Sequence, residues 1–147
     1  MRPQWLLLIT AAGLAAGVQE PDPDRRDLDR LQGTWRVVSL VADGKPVPAE
    51  AIARARFVFQ GKKLMTQEGD KKISEGFVRL DSRRKPATIE ISPEWLPERG
   101  KTTRGIYAFE GDVLKLVLSP VGEEPPAAFA SPIGSGHAFF ILKREGR

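Results

Sequence analysis

Residues 104–118, RGIYAFEGDVLKLVL, hold two apolar runs joined by Glu110-Gly111-Asp112. In the second run Leu114, Leu116 and Leu118 alternate with other residues and fall on the face opposite Lys115. Alternation with a period of two is the pattern of a β-strand with one buried face. Because glycine adopts positive φ easily, the central triplet predicts a tight turn. The stretch is therefore predicted to be a β-hairpin whose apolar face needs further strands to cover it.

The same pattern recurs on both sides of this hairpin, with Gly, Pro, Asp and Lys turns between the runs. A brief helix over Ala49–Ala53 is the one predicted interruption. An antiparallel meander with one apolar face closes most economically into a barrel, because closure removes unpaired edges. We therefore predict an all-β, antiparallel up-and-down barrel of about eight strands. The predicted strands are Thr34–Ala42, Arg56–Gln60, Lys63–Gln67, Ile73–Leu80, Thr88–Ser92, Arg104–Phe109, Val113–Leu118 and Ala138–Arg144.

Composition sets the broad class. The chain has 147 residues, 41% of them hydrophobic and 29% charged, which is typical of one soluble globular domain. The net charge is only +4, and the basic residues are scattered among acidic ones, so we predict a solvated surface and no nucleic-acid partner. The absence of cysteine excludes disulfides, a thiolate nucleophile and an N-terminal lipoprotein anchor.

The N-terminus has the pattern of a signal peptide. Arg2 precedes an apolar run over residues 5–16, and Ala15-Ala16-Gly17 supplies a small-residue cleavage site. The run is short for a membrane span, which needs about 20 apolar residues. We predict a signal peptide over residues 1–17, export to the periplasm or the extracellular space, and no stable membrane span after cleavage. An uncleaved anchor helix is the alternative.

The segment after the signal leads into the barrel. Residues 18–27 are predicted to be a polar linker, since Pro21 and Pro23 alternate with acids. Leu28 and Leu31 are three residues apart and would share one face of a helical turn beginning near Asp27. We predict that this short N-terminal turn packs on the end of a single barrel domain spanning residues 28–147.

Two short motifs resemble those of a known fold. Gly33-Thr34-Trp35 resembles the Gly-x-Trp signature of lipocalins, and Lys143-Arg144 resembles the cation that lies across the tryptophan in that fold. A longer ordered set is similar to an uncharacterised exported domain family abundant in planctomycete bacteria. The resemblance implies a lipocalin-like, calycin-type barrel and no established activity. The set consists of Leu31-Gln32-Gly33-Thr34-Trp35, Asp43-Gly44-Lys45, Leu80-Asp81, Lys85-Pro86, Gly105-Ile106-Tyr107, Gly111-Asp112-Val113-Leu114-Lys115-Leu116, Gly134-Ser135-Gly136-His137 and Leu142-Lys143-Arg144.

Candidate catalytic groups have simpler explanations. Ser135 and His137, the sole histidine, are two residues apart, a spacing that does not bring a hydroxyl and an imidazole together on one strand. A glycine-rich turn entering a strand explains them. Glu90, Glu94 and Glu98 are predicted to be solvated carboxylates. We therefore predict no enzymatic activity, no catalytic residues, no metal site and no cofactor.

Aromatic residues give the functional lead. Phe57, Phe59, Tyr107 and Phe109 fall on inward positions by alternation, where they either line an apolar pocket or fill the barrel. Trp95 is in a proline-flanked loop at the barrel mouth. Two hypotheses follow: a module that binds a small apolar ligand in the barrel, or a cell-envelope interaction domain with a filled barrel. In the second hypothesis the loops contact a protein or a polysaccharide.

The signal peptide can be checked directly. We expect the exported protein to begin near Val18, because cleavage follows the small residues that end the apolar run. N-terminal sequencing of the secreted or periplasmic product measures this. Recovery of a chain beginning at Met1 in the membrane fraction would contradict it.

Overall fold

The computed structural model describes residues 22–93 and 101–146 of the chain. Within these ranges the chain forms two short helices and one antiparallel sheet. Helix α1 is Pro23–Leu31 and helix α2 is Ala49–Ile52. The strands are β1 (Gly33–Ala42), β2 (Lys45–Pro46), β3 (Ala55–Gln60), β4 (Lys63–Glu68), β5 (Lys71–Asp81), β6 (Ala87–Ser92), β7 (Thr103–Glu110), β8 (Val113–Leu118) and β9 (Ala138–Arg144).

Strand pairing closes the sheet on itself. From β3 to β9 each strand pairs with the next along the chain, and β1 pairs with both β3 and β9. Strand β2 adds only two residues beside the end of β1. The result is a closed antiparallel barrel of eight strands with a short N-terminal helix, consistent with a lipocalin-like barrel. The predicted fold class is confirmed.

The strand boundaries agree closely with the predicted ones. Strands β8 and β9 begin and end at the predicted residues, and β5 begins two residues earlier, at Lys71. Strand β2 is not among the predicted strands. This strand follows the turn at Asp43 and Gly44, whose φ angles are 50° and 78°. Asp-Gly suits this turn because both central residues need positive φ.

The alternating residues fill the interior. Directly opposed residues of an antiparallel pair point to the same face, and Trp35 is opposite Phe57, Phe59 opposite Leu64 and Tyr107 opposite Leu116. One continuous cluster runs from helix α1 at one end of the barrel to helix α2 at the other. Its buried members are Leu31, Trp35, Val37, Ile52, Phe57, Phe59, Leu64, Val78, Ile89, Tyr107, Leu114, Leu116 and Leu142.

A second apolar layer lies on the outside of the barrel. Ile106 and Val117 oppose each other on the outer face, yet they are only 1% and 0% exposed. The segment 119–137, which connects β8 to β9, covers this face. It hydrogen-bonds to β7 through Ser119 N–H and Arg104 O at 2.9 Å. The Phe129 ring lies 6.5 Å from that of Phe139, the outward neighbour of Val117.

Helix α1 is longer than the predicted turn. It has nine residues and begins at Pro23, so residues 23–27 of the predicted linker are helical. Asp22 caps it, accepting a hydrogen bond from Asp24 N–H at 3.3 Å. Proline is tolerated at the first helical position because the N–H it lacks would have no helical partner there. The prolines that favoured a linker therefore also fit a helix start.

Helix α1 covers one end of the barrel, which we call the closed end. There Trp35 of the first strand contacts Arg144 of the last strand. The Trp35 side chain is fully buried, and its Nε1–H donates to Leu31 O at 2.8 Å. The Arg144 guanidinium carbon lies 4.2 Å from the centroid of the Trp35 ring. Arg144 also donates to Gln32 O at 2.7 Å and to Arg30 O. Of the two candidate cations Arg144 takes this position, while Lys143 is exposed on the outer face.

Loss of either side chain of this contact should destabilise the barrel. We expect Trp35→Ala to cost about 3–5 kcal/mol, since it leaves a large cavity. Arg144→Ala should cost about 1–3 kcal/mol, because it removes a cation–π contact and leaves backbone carbonyls unpaired. Lys143→Ala, the matched control, should change the free energy of unfolding by less than about 0.5 kcal/mol. Urea melts measure all three, and equal midpoints for the two cation variants would contradict the assignment.

Candidate functional site

A cleft of about 690 Å³ opens beside helix α1 near the closed end of the barrel. Helix α1 forms one wall, the turn between β3 and β4 forms another, and strands β5 and β6 form the floor. We call it the α1–β5 cleft. Its lining residues are Asp22, Asp24, Arg25, Leu28, Asp29, Gln32, Gly61, Lys62, Phe77, Val78, Arg79, Leu80, Glu90 and Ser92.

The cleft exists because two neighbouring strands end at different heights. Strand β4 pairs with β5 only as far as Lys63 opposite Phe77, and the Val78 N–H still donates to Lys62 O at 2.7 Å. Strand β5 continues to Asp81, paired on its other side with β6. Its edge toward α1 therefore has no strand neighbour beyond this point in the described sheet.

Helix α1 lies beside the part of β5 that has no strand neighbour, and several hydrogen bonds anchor it there. Ser82 donates to the Asp24 carboxylate from its N–H at 2.7 Å and from its hydroxyl at 2.5 Å. The hydroxyl bond is the main reason that the pKa of Asp24 is lowered. Gln32 bonds the backbone of Gly61 in both directions, at 2.9 and 2.7 Å. These anchors hold the helix at the rim and leave a gap beside it.

Tyr107 provides the most buried anchor. Its hydroxyl donates to Asp27 Oδ2 at 2.6 Å, although the Tyr107 side chain is only 2% exposed. Burial, followed by this hydrogen bond and by the nearby Asp27 charge, raises the pKa of Tyr107. The neutral phenol is therefore the form that the folded protein holds.

The lining of the cleft is apolar below and charged above. Phe77, Val78 and Leu80 of β5 supply an apolar floor, and Leu28 adds an apolar side chain from the α1 wall. Val78 belongs to the buried core. Charged side chains from α1, β5 and β6 form the rim. Clefts of 300–1,000 Å³ with apolar walls and a few polar groups are typical sites for small ligands. The arrangement can hold an apolar body while the polar part of the ligand meets the rim.

A second cleft of about 490 Å³ lies on the outer face of β5, β6 and β7, and it shares Arg79 and Leu80 with the first. Its cations are largely matched within the protein. Arg84 pairs with Asp81 at 3.6 Å and Arg104 with Glu90 at 3.4 Å. This cleft is smaller and more polar, so it suits an apolar body less well.

The structure places the predicted ligand residues inside the barrel. The Phe57 ring lies 5.0 Å from that of Phe140, and the Tyr107 ring lies 5.9 Å from that of Phe109. Phe57, Phe59, Tyr107 and Phe109 point inward as predicted, but none of them lines either cleft. Trp95 lies outside the described residues.

The remaining chemical candidates are engaged in local structure. The Ser135 hydroxyl donates to Pro132 O at 2.5 Å and accepts from His137 N–H at 3.1 Å, which is the bonding of a turn. Glu90 pairs with Arg104, and Glu94 and Glu98 lie outside the described residues. Residues 22–93 and 101–146 contain no cluster of three metal-ligating side chains. No helix in these ranges is long and apolar enough to cross a membrane.

The α1–β5 cleft is not predicted by any motif in the sequence. Leu28 is predicted only to pack on the end of the barrel, and Leu80 belongs to the family resemblance as Leu80-Asp81 with no role attached. Arg25 and Arg79 are in none of the quoted motifs. One signal was present: the predicted strand ending at Leu80 is longer than the neighbour beginning at Lys63. A longer strand beside a shorter one leaves part of an edge unpaired.

The hydrogen bond between Tyr107 and Asp27 can be tested directly, because Tyr107 is the single tyrosine of the chain. The pKa of an unfolded tyrosine is about 10. A raised folded pKa means that stability is complete below about pH 10 and is lost as the pH rises above it. We expect tyrosinate absorbance to appear only with unfolding. In Tyr107→Phe the free energy of unfolding should depend less on pH above 10, at a cost of about 1–2 kcal/mol at neutral pH.

Asp27→Asn serves as the control for the hydrogen bond between Tyr107 and Asp27. This variant keeps a hydrogen-bond acceptor but removes the charge, so Tyr107 should ionise at a lower pH than in the wild type. Ionisation of wild-type Tyr107 near pH 10, with the fold intact by circular dichroism, would show that the phenol is not held as described.

No protein-family model, no curated protein and no solved structure matches this chain. The function of the α1–β5 cleft is therefore inferred from the residues that form it.

Proposed function

We propose that this chain is an exported small-molecule-binding domain that holds one compact amphipathic ligand in the α1–β5 cleft. The observation that carries the proposal is the cleft itself, with a volume of about 690 Å³, an apolar floor and a charged rim. Such a lining excludes water from the apolar part of a ligand and leaves its polar part solvated. Export remains a prediction from residues 1–17. Membership of the planctomycete family remains a prediction from the motifs that resemble it.

The packing of the interior favours the cleft over the barrel as the ligand site. Phe57, Phe59 and Tyr107 are buried and contact other members of the core cluster. A ligand inside would have to displace side chains packed at the density of a protein interior, and such rearrangement is costly. The cleft requires no displacement of core residues.

We propose that the protein binds its ligand without catalysing a reaction. The Ser135 hydroxyl, the candidate nucleophile, is committed to the backbone of its own turn. The phenol of Tyr107 is held neutral against Asp27 as an anchor for α1. These groups support the fold.

Nuclear magnetic resonance can locate the ligand. We expect octanoate or octan-1-ol to bind saturably to ¹⁵N-labelled protein, with amide shifts concentrated at Leu28, Val78 and Leu80. Leu28→Trp should fill the cleft and lower affinity by about tenfold or more, because the apolar contact area is lost. Val38→Trp, on the exposed outer face of β1, is the matched control and should bind as the wild type does.

A core variant separates the cleft from the interior. Phe59→Ala should cost about 3–5 kcal/mol of folding free energy by leaving a void, with probe affinity unchanged. Shifts concentrated at Phe59 and Phe109, together with altered affinity in Phe59→Ala, would place the ligand in the barrel instead. Failure of every probe to bind saturably would overturn the proposal.

An interaction domain of the cell envelope is the second candidate, and the 119–137 segment favours it. This segment is tied to the barrel, yet Val121 is 62% exposed and Ile133 is 81% exposed. Ordered loops that present apolar side chains to solvent are common contact surfaces. In this candidate the loops bind a protein or a polysaccharide, and the cleft has no ligand.

A further inference from the structure

We propose that the α1–β5 cleft selects amphiphiles with an anionic head group, held by the guanidinium groups of Arg25 and Arg79. This inference rests on the proposed function and specifies the class of ligand. The ligand would have a single apolar chain between Leu28 of the α1 wall and the floor residues Val78 and Leu80, with a carboxylate or similar anion at the rim.

Arg25 and Arg79 line the cleft from different elements, and both guanidinium groups are available to bind an anion. Arg25 lies on α1 and Arg79 on β5, and both are exposed. Neither makes an ion pair or a side-chain hydrogen bond within the described part of the chain. A guanidinium presents several N–H donors in a planar fork that matches the oxygens of a carboxylate or phosphate. Two such groups at one rim form a ready partner for an anion.

Most of the acidic side chains at the rim already have partners. Asp22 pairs with Arg83 at 3.8 Å, and Glu90 pairs with Arg104 at 3.4 Å. Asp24 accepts both hydrogen bonds from Ser82. Each of these three carboxylates therefore has a partner other than Arg25 and Arg79.

Asp29 is the exception, and it provides a signed test. It lines the cleft, and its carboxylate has no ion-pair or hydrogen-bond partner among residues 22–93 and 101–146. For an anionic ligand this charge is repulsive, so Asp29→Asn should raise affinity. For a zwitterionic ligand the same charge would attract the positive group, so Asp29→Asn should lower affinity.

The experiment compares head groups on one chain length. Octanoate, octan-1-ol, octylamine and octylphosphocholine are titrated by calorimetry into the full mature chain below their aggregation concentrations. We expect octanoate to bind about tenfold more tightly than octan-1-ol, and octylamine to bind more weakly than both. Added salt should weaken octanoate binding and leave octan-1-ol binding nearly unchanged, because exposed charge pairs are screened.

Substitutions at the rim assign the head group to its residues. Arg25→Gln and Arg79→Gln should each lower octanoate affinity by about threefold, and together by about tenfold, with octan-1-ol affinity unchanged. Arg26→Gln is the matched control, because Arg26 is the exposed neighbour of Arg25 on the same helix and does not line the cleft. Circular dichroism and urea melts check that each variant keeps its fold.

The outcomes separate this inference from the function on which it depends. Equal affinity for octanoate and octan-1-ol at the cleft would overturn the anion preference and leave the binding function standing. Tighter binding of octylphosphocholine, weakened by Asp29→Asn, would replace the anion with a zwitterion and overturn the inference as well. If no octyl compound bound saturably, both proposals would fall together.

Discussion

The contact between Arg144 and Trp35 is the interaction on which the closed end depends. Trp35 begins the barrel and Arg144 ends it, so one cation–π contact at 4.2 Å joins the first and last strands. The same guanidinium donates to Gln32 O, and the Trp35 indole donates to Leu31 O. Helix α1 is therefore tied to the closure of the barrel. Its position and the cleft beside it follow from that arrangement.

The cleft is a by-product of how the barrel meets its covering helix. A strand could have filled the space beside the end of β5, but β4 stops opposite Phe77 and the chain turns at Gly61. Helix α1 covers the space only in part, because Asp24, Asp27 and Gln32 fix it to Ser82, Tyr107 and Gly61. The floor is apolar since Val78 and Leu80 are inward residues of the barrel. The hydrogen bonds that fix α1 to the barrel thus define the shape of the α1–β5 cleft.

Much of the barrel could be predicted from the sequence because its information is local. Alternation in residues 104–118 gave the inward leucines, and Gly44 and Gly111 marked turns where φ is positive. Burial of Ile106 and Val117 on the outer face could not be predicted, because their cover comes from a loop without periodicity. The cleft was equally hidden. It depends on which strand lies beside β5 and on where that strand ends, and neither is a property of any single stretch of sequence.

The pairing of β1 with β9 also governs when the molecule can become complete. The partners Trp35 and Arg144 are separated by most of the chain, so the contact order of the closing step is high. Until the C-terminal strand is available, the outer edges of β1 and β8 stay open, and open edges are templates for aggregation. Because synthesis runs from the N-terminus to the C-terminus, β9 is made after all the other strands. The seven residues of β9, Ala138–Arg144, therefore decide whether the preceding strands form a closed barrel or remain an open sheet with edges prone to aggregation.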